Sequence, residues 1–509
     1  MTNEKSNTSH SLIEISPDDF RKIGYRLVDK IADFLEVLPS KPVSSGITPK
    51  ELQTIFKKKS IPNHGEKSDT LLSEAAELLF KYTTFNGHPK FWGYITSSAA
   101  PIGALGDMLA ASVNPNVGAW DLSPIASEIE SQTISWIAEM IAYPRNCGGI
   151  MVSGGNMANF VGFLAARSDK ADWSIRKKGL SSDASKRLLV YASSETHTWI
   201  QKAADLFGLG TDAIRWIRVD SDQKILVDVL ENQIQEDKKN GYLPFMIIGN
   251  AGTVGTGAID PLEQISAICE KNDLWFHVDG AYGAFAATLP DAPEDLKALK
   301  HADSVALDPH KWLYAPLEAG CALVRNPNTL LNAFSYHPTY YRFADEIEEE
   351  ERGINFYDIG FQNSRGFRAL KVWLALRQVG KNGYIKMIGD NINLSKYLYQ
   401  LIEQEPDLQV TSQSLSITTF RYVPSDINLQ TESSADYLNE LNQKLLDRLN
   451  DSGEAYVSNA MIDGKFVLRA CIVNFRTTSE DVESLPKIVI RMGREIDSEL
   501  KSDKLKSKS

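Results

Sequence analysis

The chain has 509 residues, 43% of them hydrophobic and 24% charged, with a formal charge of −12 at neutral pH. That length exceeds one compact core and sets two or three domains as the expectation. The acidic balance argues against a nucleic-acid partner, which needs a basic face.

Four cysteines, Cys147, Cys269, Cys321 and Cys471, stand far apart with no CxxC pair. Neither a disulfide framework nor a metal site is expected, and a reducing, cytoplasmic compartment fits. The stretch Met1–His10 is polar and lacks the apolar core of a signal peptide. No run reaches the ~18–20 apolar residues that a membrane span requires.

In chain order, residues 1–12 are rich in Ser, Asn, Thr and Lys and predict a disordered start. Ser16-Pro17-Asp18-Asp19 then has the form of a helix start, with a capping hydroxyl, a proline at the first position and acids in the first turn. Phe20, Ile23, Leu27, Val28, Ile31, Phe34 and Leu35 follow at helical spacing. This apolar stripe must bury against its own domain or against a second subunit.

From about residue 100 to 380, helical stretches alternate with short apolar runs at 187–192, 244–249, 274–278 and 304–307. Continuous runs of this kind predict buried, mostly parallel strands with helices on both faces. Ligands in such sheets bind beyond the carboxyl ends of the strands.

Within that region, Ser153-Gly154-Gly155-Asn156 opens a helix. It reads either as a plain loop-to-helix turn or as a phosphate cradle of free N–H groups. No GxGxxG fingerprint and no P-loop is present, which disfavours dinucleotide and ATP sites. His197 follows the first of the four runs and is either structural or placed to stack on a flat ring. Thr253 sits in the glycine turn Gly252–Gly257, where a tight turn and a ligand contact are compatible.

The strongest pattern comes next. Asp279 ends an apolar run in Phe276-His277-Val278-Asp279, and Lys311 follows a second one in Asp308-Pro309-His310-Lys311-Trp312. A lysine amine forms a Schiff base with an aldehyde cofactor. A carboxylate keeps a pyridine nitrogen protonated so that the ring accepts electrons. The pair therefore points to pyridoxal phosphate.

Tyr340 precedes the acidic run 345–352, which reads as a solvated loop. A tyrosine there is either a surface anchor or a catalytic group. Beyond about 385, strand-like runs at 415–422 and 466–473 with flanking helices predict a small α+β domain. The Lys/Ser-rich tail after Leu500 predicts disorder.

Taken together, these residues resemble the group II pyridoxal-phosphate-dependent decarboxylases, the family of the aromatic-L-amino-acid, glutamate and histidine decarboxylases. The resemblance runs from about Phe20 to Ile496. It is carried by Asp-Pro-His-Lys-Trp at 308–312 and His-Val-Asp at 277–279, with support from 88–94, 364–373 and 465–469.

The resemblance implies the aspartate-aminotransferase-like α/β fold (fold type I) in a homodimer. It implies an N-terminal helical segment (1–98) wrapping the partner, a large cofactor-binding α/β domain (99–384) and a small C-terminal α+β domain (385–509). By the same route Lys311 holds pyridoxal phosphate, Asp279 pairs with the ring nitrogen and His197 stacks on the ring. Gly155, Asn156, Ser304 and His310 surround the phosphate, and Thr253 and Ala281 line the ring. Tyr94 and Thr96 contact substrate, and Tyr340 supplies or organises the proton returned to Cα.

The implied reaction converts an L-amino acid, foremost an aromatic one, to its amine and CO2. Glutamate or aspartate decarboxylation, an aldehyde-forming synthase and a non-catalytic cofactor-binding protein are the alternatives. On fold alone an aminotransferase is a further one. Three departures from the family pattern stand out. Asp308 takes the place of the asparagine of the animal aromatic enzymes. Asn86 replaces a tryptophan, and Asn116-Val117-Gly118 replaces a segment ending in phenylalanine. Ser364 matches a serine of some plant tyrosine decarboxylases.

Overall fold

The structure, a computed structural model, describes residues 11–56, 60–180, 187–336, 353–427 and 432–506. Tyr340, the acidic run 345–352 and the first ten residues of the polar start lie outside the described residues.

Helix α1 (Pro17–Val37) starts as its sequence predicts. The Ser16 hydroxyl accepts the Asp19 N–H at 3.1 Å, and Pro17 occupies the first turn. Then come α2 (Pro49–Phe56) and α3 (Ser68–Tyr82). Phe34 of α1 stacks on Phe80 of α3 at 4.4 Å between centroids. No residue of α1 is buried, however, and Phe20, Tyr25, Val28 and Ile31 stay exposed. The apolar stripe is therefore not consumed within the chain.

Helices α4 (Pro101–Val113) and α5 (Pro124–Met140) lead into the large domain. There β1 (Gly148–Val152), α6 (Gly155–Lys170), the short α7 (Ile175–Lys178), β2 (Leu188–Ser193) and α8 (Trp199–Leu206) follow one another. Next are β3 (Ile214–Ile217), α9 (Val227–Lys239), β4 (Leu243–Asn250), α10 (Leu262–Asn272) and β5 (Trp275–Asp279). The series ends with β6 (Ser304–Leu307), β7 (Gly320–Val324) and α11 (Pro327–Phe334). Seven strands form one sheet in the order β1-β7-β6-β5-β4-β2-β3. Only β7 runs antiparallel to its neighbours. The strands β2, β4, β5, β6 and β7 are buried almost throughout, as strands covered on both faces must be.

Helix α12 (Ala369–Glu403) carries the chain into the second lobe and is broken at Gly380, whose φ of 69° no ordinary helix residue adopts. Residue 385 thus lies just beyond that break. The four-stranded antiparallel sheet β10-β11-β9-β8 is built from β8 (Leu408–Ser414), β9 (Ile417–Tyr422), β10 (Ser458–Ile462) and β11 (Lys465–Cys471). It packs with α13 (Glu432–Ser452) and α14 (Ser479–Lys506) around Leu441, Leu445, Phe420, Leu468 and Leu485. Residues 85–94 belong physically to this lobe. Trp92 N–H donates to Tyr456 O at 2.7 Å, and Cys471 N–H donates to Trp92 O at 2.9 Å.

The expectation of disorder after Leu500 is corrected. Helix α14 continues to Lys506 because Leu500 is buried and Lys501 pairs with Asp497 at 2.7 Å and Asp426 at 2.8 Å. Among the described residues no helix is long and apolar enough to cross a membrane, and no His, Cys, Asp and Glu cluster is suited to a metal.

Candidate active site

Strands β2, β4, β5 and β6 run parallel, and the loops leaving their carboxyl ends surround a cavity of about 330 Å³. Its walls bring together Gly155, Asn156, His197, Thr253, Asp279, Ala281, His310 and Lys311 from five separate segments of the sequence. Ser304, Tyr94 and Thr96 are not among its lining residues.

Asp279 is the last residue of β5 and is 9% exposed. Its Oδ2 accepts the Trp199 indole N–H at 2.7 Å and its Oδ1 accepts the Ala281 N–H at 3.2 Å. These two donors fix the carboxylate's orientation while it borders the cavity. Trp199 is a functional residue that sequence reading missed. The signal was present, since a buried indole N–H needs an acceptor. Two positions earlier, His197 Nδ1 accepts the Trp199 backbone N–H at 3.3 Å. Burial holds the His197 imidazole below its ordinary value, with Asp279 acting upward and Lys311 downward. A neutral, flat ring beside the cavity is the consequence.

Ser304 is not brought to the cavity. It opens β6, so it lies at the end opposite the cavity. Its hydroxyl oxygen accepts the Trp275 indole N–H at 2.8 Å and bonds His277 Nδ1 at 2.7 Å. His277 Nε2 reaches Asn159 Oδ1 at 2.7 Å, and Asn159 Nδ2 donates to Gly155 O at 2.9 Å. Because the Asn159 amide spends its N–H on Gly155, its oxygen must accept, so His277 carries its proton on Nε2 and accepts from Ser304 on Nδ1. Ser304 thus supports the start of α6 from below, through a relay, rather than touching a ligand. Gly162 makes room for the imidazole, since a Cβ there would stand 2.8 Å from His277.

Complete burial pushes His277 down to about 4. The unfolded chain takes up a proton on this group near its ordinary value of 6.5 while the folded chain does not. Stability from this group is therefore full above that value and is lost as pH falls toward 4. The shift corresponds to about 3 kcal/mol. His277→Asn lacks the titration, so its stability deficit against the parent chain should shrink by about 2–3 kcal/mol between about pH 7 and about pH 4.5. Urea midpoints of both proteins measure this, and a constant deficit would show that the imidazole is not held neutral.

Lys311 follows β6 in a turn closed by its own N–H to Asp308 O at 2.9 Å. Its Nζ lies 3.0 Å from Asp308 Oδ2. Burial lowers the His310 imidazole, whose Nδ1 bonds Ala319 O at 2.7 Å. Ser97 donates its hydroxyl to His310 O at 2.7 Å, which leads the segment after Tyr94 to the lysine turn. Tyr94 itself is 60% exposed, and its carbonyl accepts Arg469 Nη1–H at 2.9 Å.

Thr253 is held by its turn and by the second lobe. Its N–H donates to Ala258 O, and its hydroxyl pairs with that of Thr256 at 3.1 Å. The hairpin between β8 and β9 presses on this turn, with the Ser414 hydroxyl donating to Gly257 O at 2.8 Å. Asn250, another residue missed in the sequence, joins the cavity wall to Thr196 Oγ1 at 3.1 Å and to the buried Asp260 at 2.7 Å. Burial raises Asp260 to about 6, against three N–H donors that favour its charge.

The donor set suits pyridoxal phosphate. One lysine amine faces the cavity, one oriented carboxylate stands at a strand end, and the start of a 16-residue helix opens without a side chain at Gly155. One feature sits awkwardly, the Asp308 carboxylate at that helix start.

Comparison with known proteins agrees. The pyridoxal-dependent decarboxylase conserved domain matches residues 49–423, and the PDXDC1-like second central domain matches residues 398–501. The chain is 34% identical to the aromatic-L-amino-acid decarboxylase of Bacillus atrophaeus, over 95% of this chain and 97% of that protein. It is 30% identical to tyrosine decarboxylase 4 of Petroselinum crispum, over 96% and 95%. The Oryza sativa TDC structure with PLP and tryptamine superposes with a TM-score of 0.87 at 25% identity, covering 96% of this chain and 100% of that one. The fold is accordingly that of the fold type I enzymes, as the sequence implied. With a family match across most of its length, the chain belongs to the pyridoxal-dependent decarboxylases and is a carboxy-lyase of amino acids.

Proposed function

We propose that the chain removes the α-carboxylate of an aromatic L-amino acid to give the amine and CO2. One placement carries the reading: Lys311 and Asp279 face the same cavity, with His197 in electrostatic reach of both. The similarity to enzymes named for aromatic amino acids and tyrosine supports the substrate class.

When bound, pyridoxal phosphate supplies a ring that takes up the electron pair of the broken Cα–carboxylate bond. Lys311 provides the amine that attaches it. Asp279, oriented by Trp199 and Ala281, holds a proton on the ring nitrogen. His197 offers a flat, neutral face, and Thr253 and Ala281 line the ring. The N–H groups at Gly155 and Asn156 hold the phosphate, with His310 beside them. By the family resemblance Tyr94 and Thr96, which do not line this cavity, are assigned to the substrate, and Tyr340 to returning the proton to Cα.

A purified-protein assay with added pyridoxal phosphate tests this on tyrosine, DOPA, tryptophan, phenylalanine, glutamate and aspartate. CO2 and amine in equal amounts from an aromatic substrate are expected. In Tyr340→Phe, amine should fall while oxygen uptake, aldehyde, hydrogen peroxide and ammonia rise. Unchanged amine in that variant would remove Tyr340 from the mechanism.

One observation bears on a second reading, an acidic substrate, though the arginine concerned is outside the cavity lining. Arg469 is 1% exposed, and its Nε and Nη2 have no hydrogen-bond partner among the described residues. Its remaining donor holds Tyr94 O and Ser458 Oγ. Turnover of glutamate or aspartate alone would select that reading.

We further propose a homodimer. The exposed Phe20, Tyr25, Val28 and Ile31 of α1, together with Leu105, Met108, Leu109 and Val113 of α4, form apolar surface that a second copy would cover. Sedimentation velocity should give the mass of two chains, and a single-chain mass would reject it. The four cysteines are unpaired, in keeping with a cytoplasmic setting, which cell fractionation reads directly.

A further inference from the structure

Asp308 stands between β6 and Lys311 and is 3% exposed. Its Oδ2 lies 3.0 Å from Lys311 Nζ and 3.7 Å from His310 Nε2, and its Oδ1 has no hydrogen-bond partner among the described residues. The carboxylate is directed at the start of α6. A Cβ added to Gly155 would stand 2.8 Å from Oδ2, and one added to Gly154 would stand 3.9 Å from Oδ1. The glycines thus leave space that the carboxylate fills, at a helix end whose free N–H groups and dipole attract anions.

A buried carboxylate with one unused oxygen at this point is unusual, because buried polar atoms are nearly always bonded. It also places a carboxylate where a second anion is required to bind. His197 from the loop after β2 feels both Asp308 and Lys311, and burial keeps it and His310 below their ordinary values. Neither imidazole therefore offsets the charge. Lys311 is its one close cationic partner among the described residues, and attachment of an aldehyde to Lys311 consumes that amine.

We propose that Asp308 is a positioning residue that competes with the cofactor's phosphate for the start of α6, so that this chain holds pyridoxal phosphate loosely and exchangeably. The proposal rests on the reading that this helix start takes the phosphate. Its signature is selective. Removing the charge strengthens binding of the phosphorylated cofactor and leaves the unphosphorylated aldehyde, pyridoxal, nearly unaffected.

The test titrates cofactor-free protein with pyridoxal phosphate and, separately, with pyridoxal, reading the visible absorbance of the lysine imine. Asp308→Asn keeps shape and removes charge. Its affinity for pyridoxal phosphate should rise by about tenfold or more, the scale of one like charge at short range in a half-buried site. Its affinity for pyridoxal should change by less than about threefold, an allowance for the lost Lys311 contact. Calorimetry with inorganic phosphate gives an independent reading that needs no imine, and Asp308→Ser serves if the asparagine variant is unstable.

An unchanged preference for the phosphorylated form would overturn the proposal while leaving the phosphate site in place. A reduced preference would overturn it too, by showing that Asp308 donates a proton to the phosphate. Equal binding of the two aldehydes in the parent chain and in both variants would overturn the proposal by removing the phosphate reading beneath it.

Discussion

Asp279→Asn should lower kcat by at least about 10²–10³-fold, the range for loss of a preorganised electrostatic partner, with the lysine imine absorbance retained. The carboxylate has two fixed donors, Trp199 Nε1–H on Oδ2 and the Ala281 N–H on Oδ1. An asparagine satisfies one of them with its oxygen and turns N–H against N–H at the other. It also carries no charge, so nothing holds a proton on the ring nitrogen, and the ring accepts electrons poorly. Retained absorbance separates this from failure to bind cofactor, because the attachment proposed above is through Lys311. A kcat within about threefold of the parent would show that Asp279 does not serve the ring.

Arg365→Ala should destabilise the folded chain by about 3–5 kcal/mol, the usual penalty for stranding one member of a buried ion pair. Arg365 and Glu130 are 1% and 0% exposed by side chain and meet at 2.5 Å. The guanidinium also donates to Met151 O at 2.6 Å and Val117 O at 2.8 Å, and it lies over the Phe356 ring at 4.8 Å. Glu130 Oε1 accepts the Met151 N–H at 3.0 Å, while Oε2 has no hydrogen-bond partner among the described residues. Two residues beyond Met151 the chain enters the Ser153–Gly155 cradle, so the pair anchors one wall of the site. Lysine keeps the charge but not the fork of donors, and Arg365→Lys should fall between alanine and the parent. Urea unfolding measures both, and a loss below about 1 kcal/mol for alanine would mean that the pair is not structural.

How much of this was legible follows from where each signal resides. Asp279 and Lys311 were readable because each closes or follows an apolar run, and runs of that type become central strands. The capping of α1 was readable because it involves only four consecutive residues. Family likeness assigned Ser304 to the phosphate, while its place in the strand sets it outside the cavity lining. It begins β6, and sites in such sheets lie beyond the other end. Direction along a strand is in the sequence, so this placement was legible.

Other features were out of reach. The antiparallel run of β7 between β1 and β6 depends on pairing partners distant in sequence. The relay from Ser304 to Gly155 joins residues from three separate elements, and the Arg365–Glu130 pair spans 235 positions. Composition called the tail after Leu500 disordered because it counts lysines and serines. It does not see that Lys501 finds Asp426 and Asp497.

The measurement that bears most directly on the assigned site is reduction of the cofactor-loaded protein with borohydride, followed by peptide mass mapping. Reduction fixes the cofactor on whichever amine holds it. A single label on Lys311, absent in Lys311→Ala, is the predicted result. A label on another lysine, or none, would contradict the site built around Lys311 and Asp279.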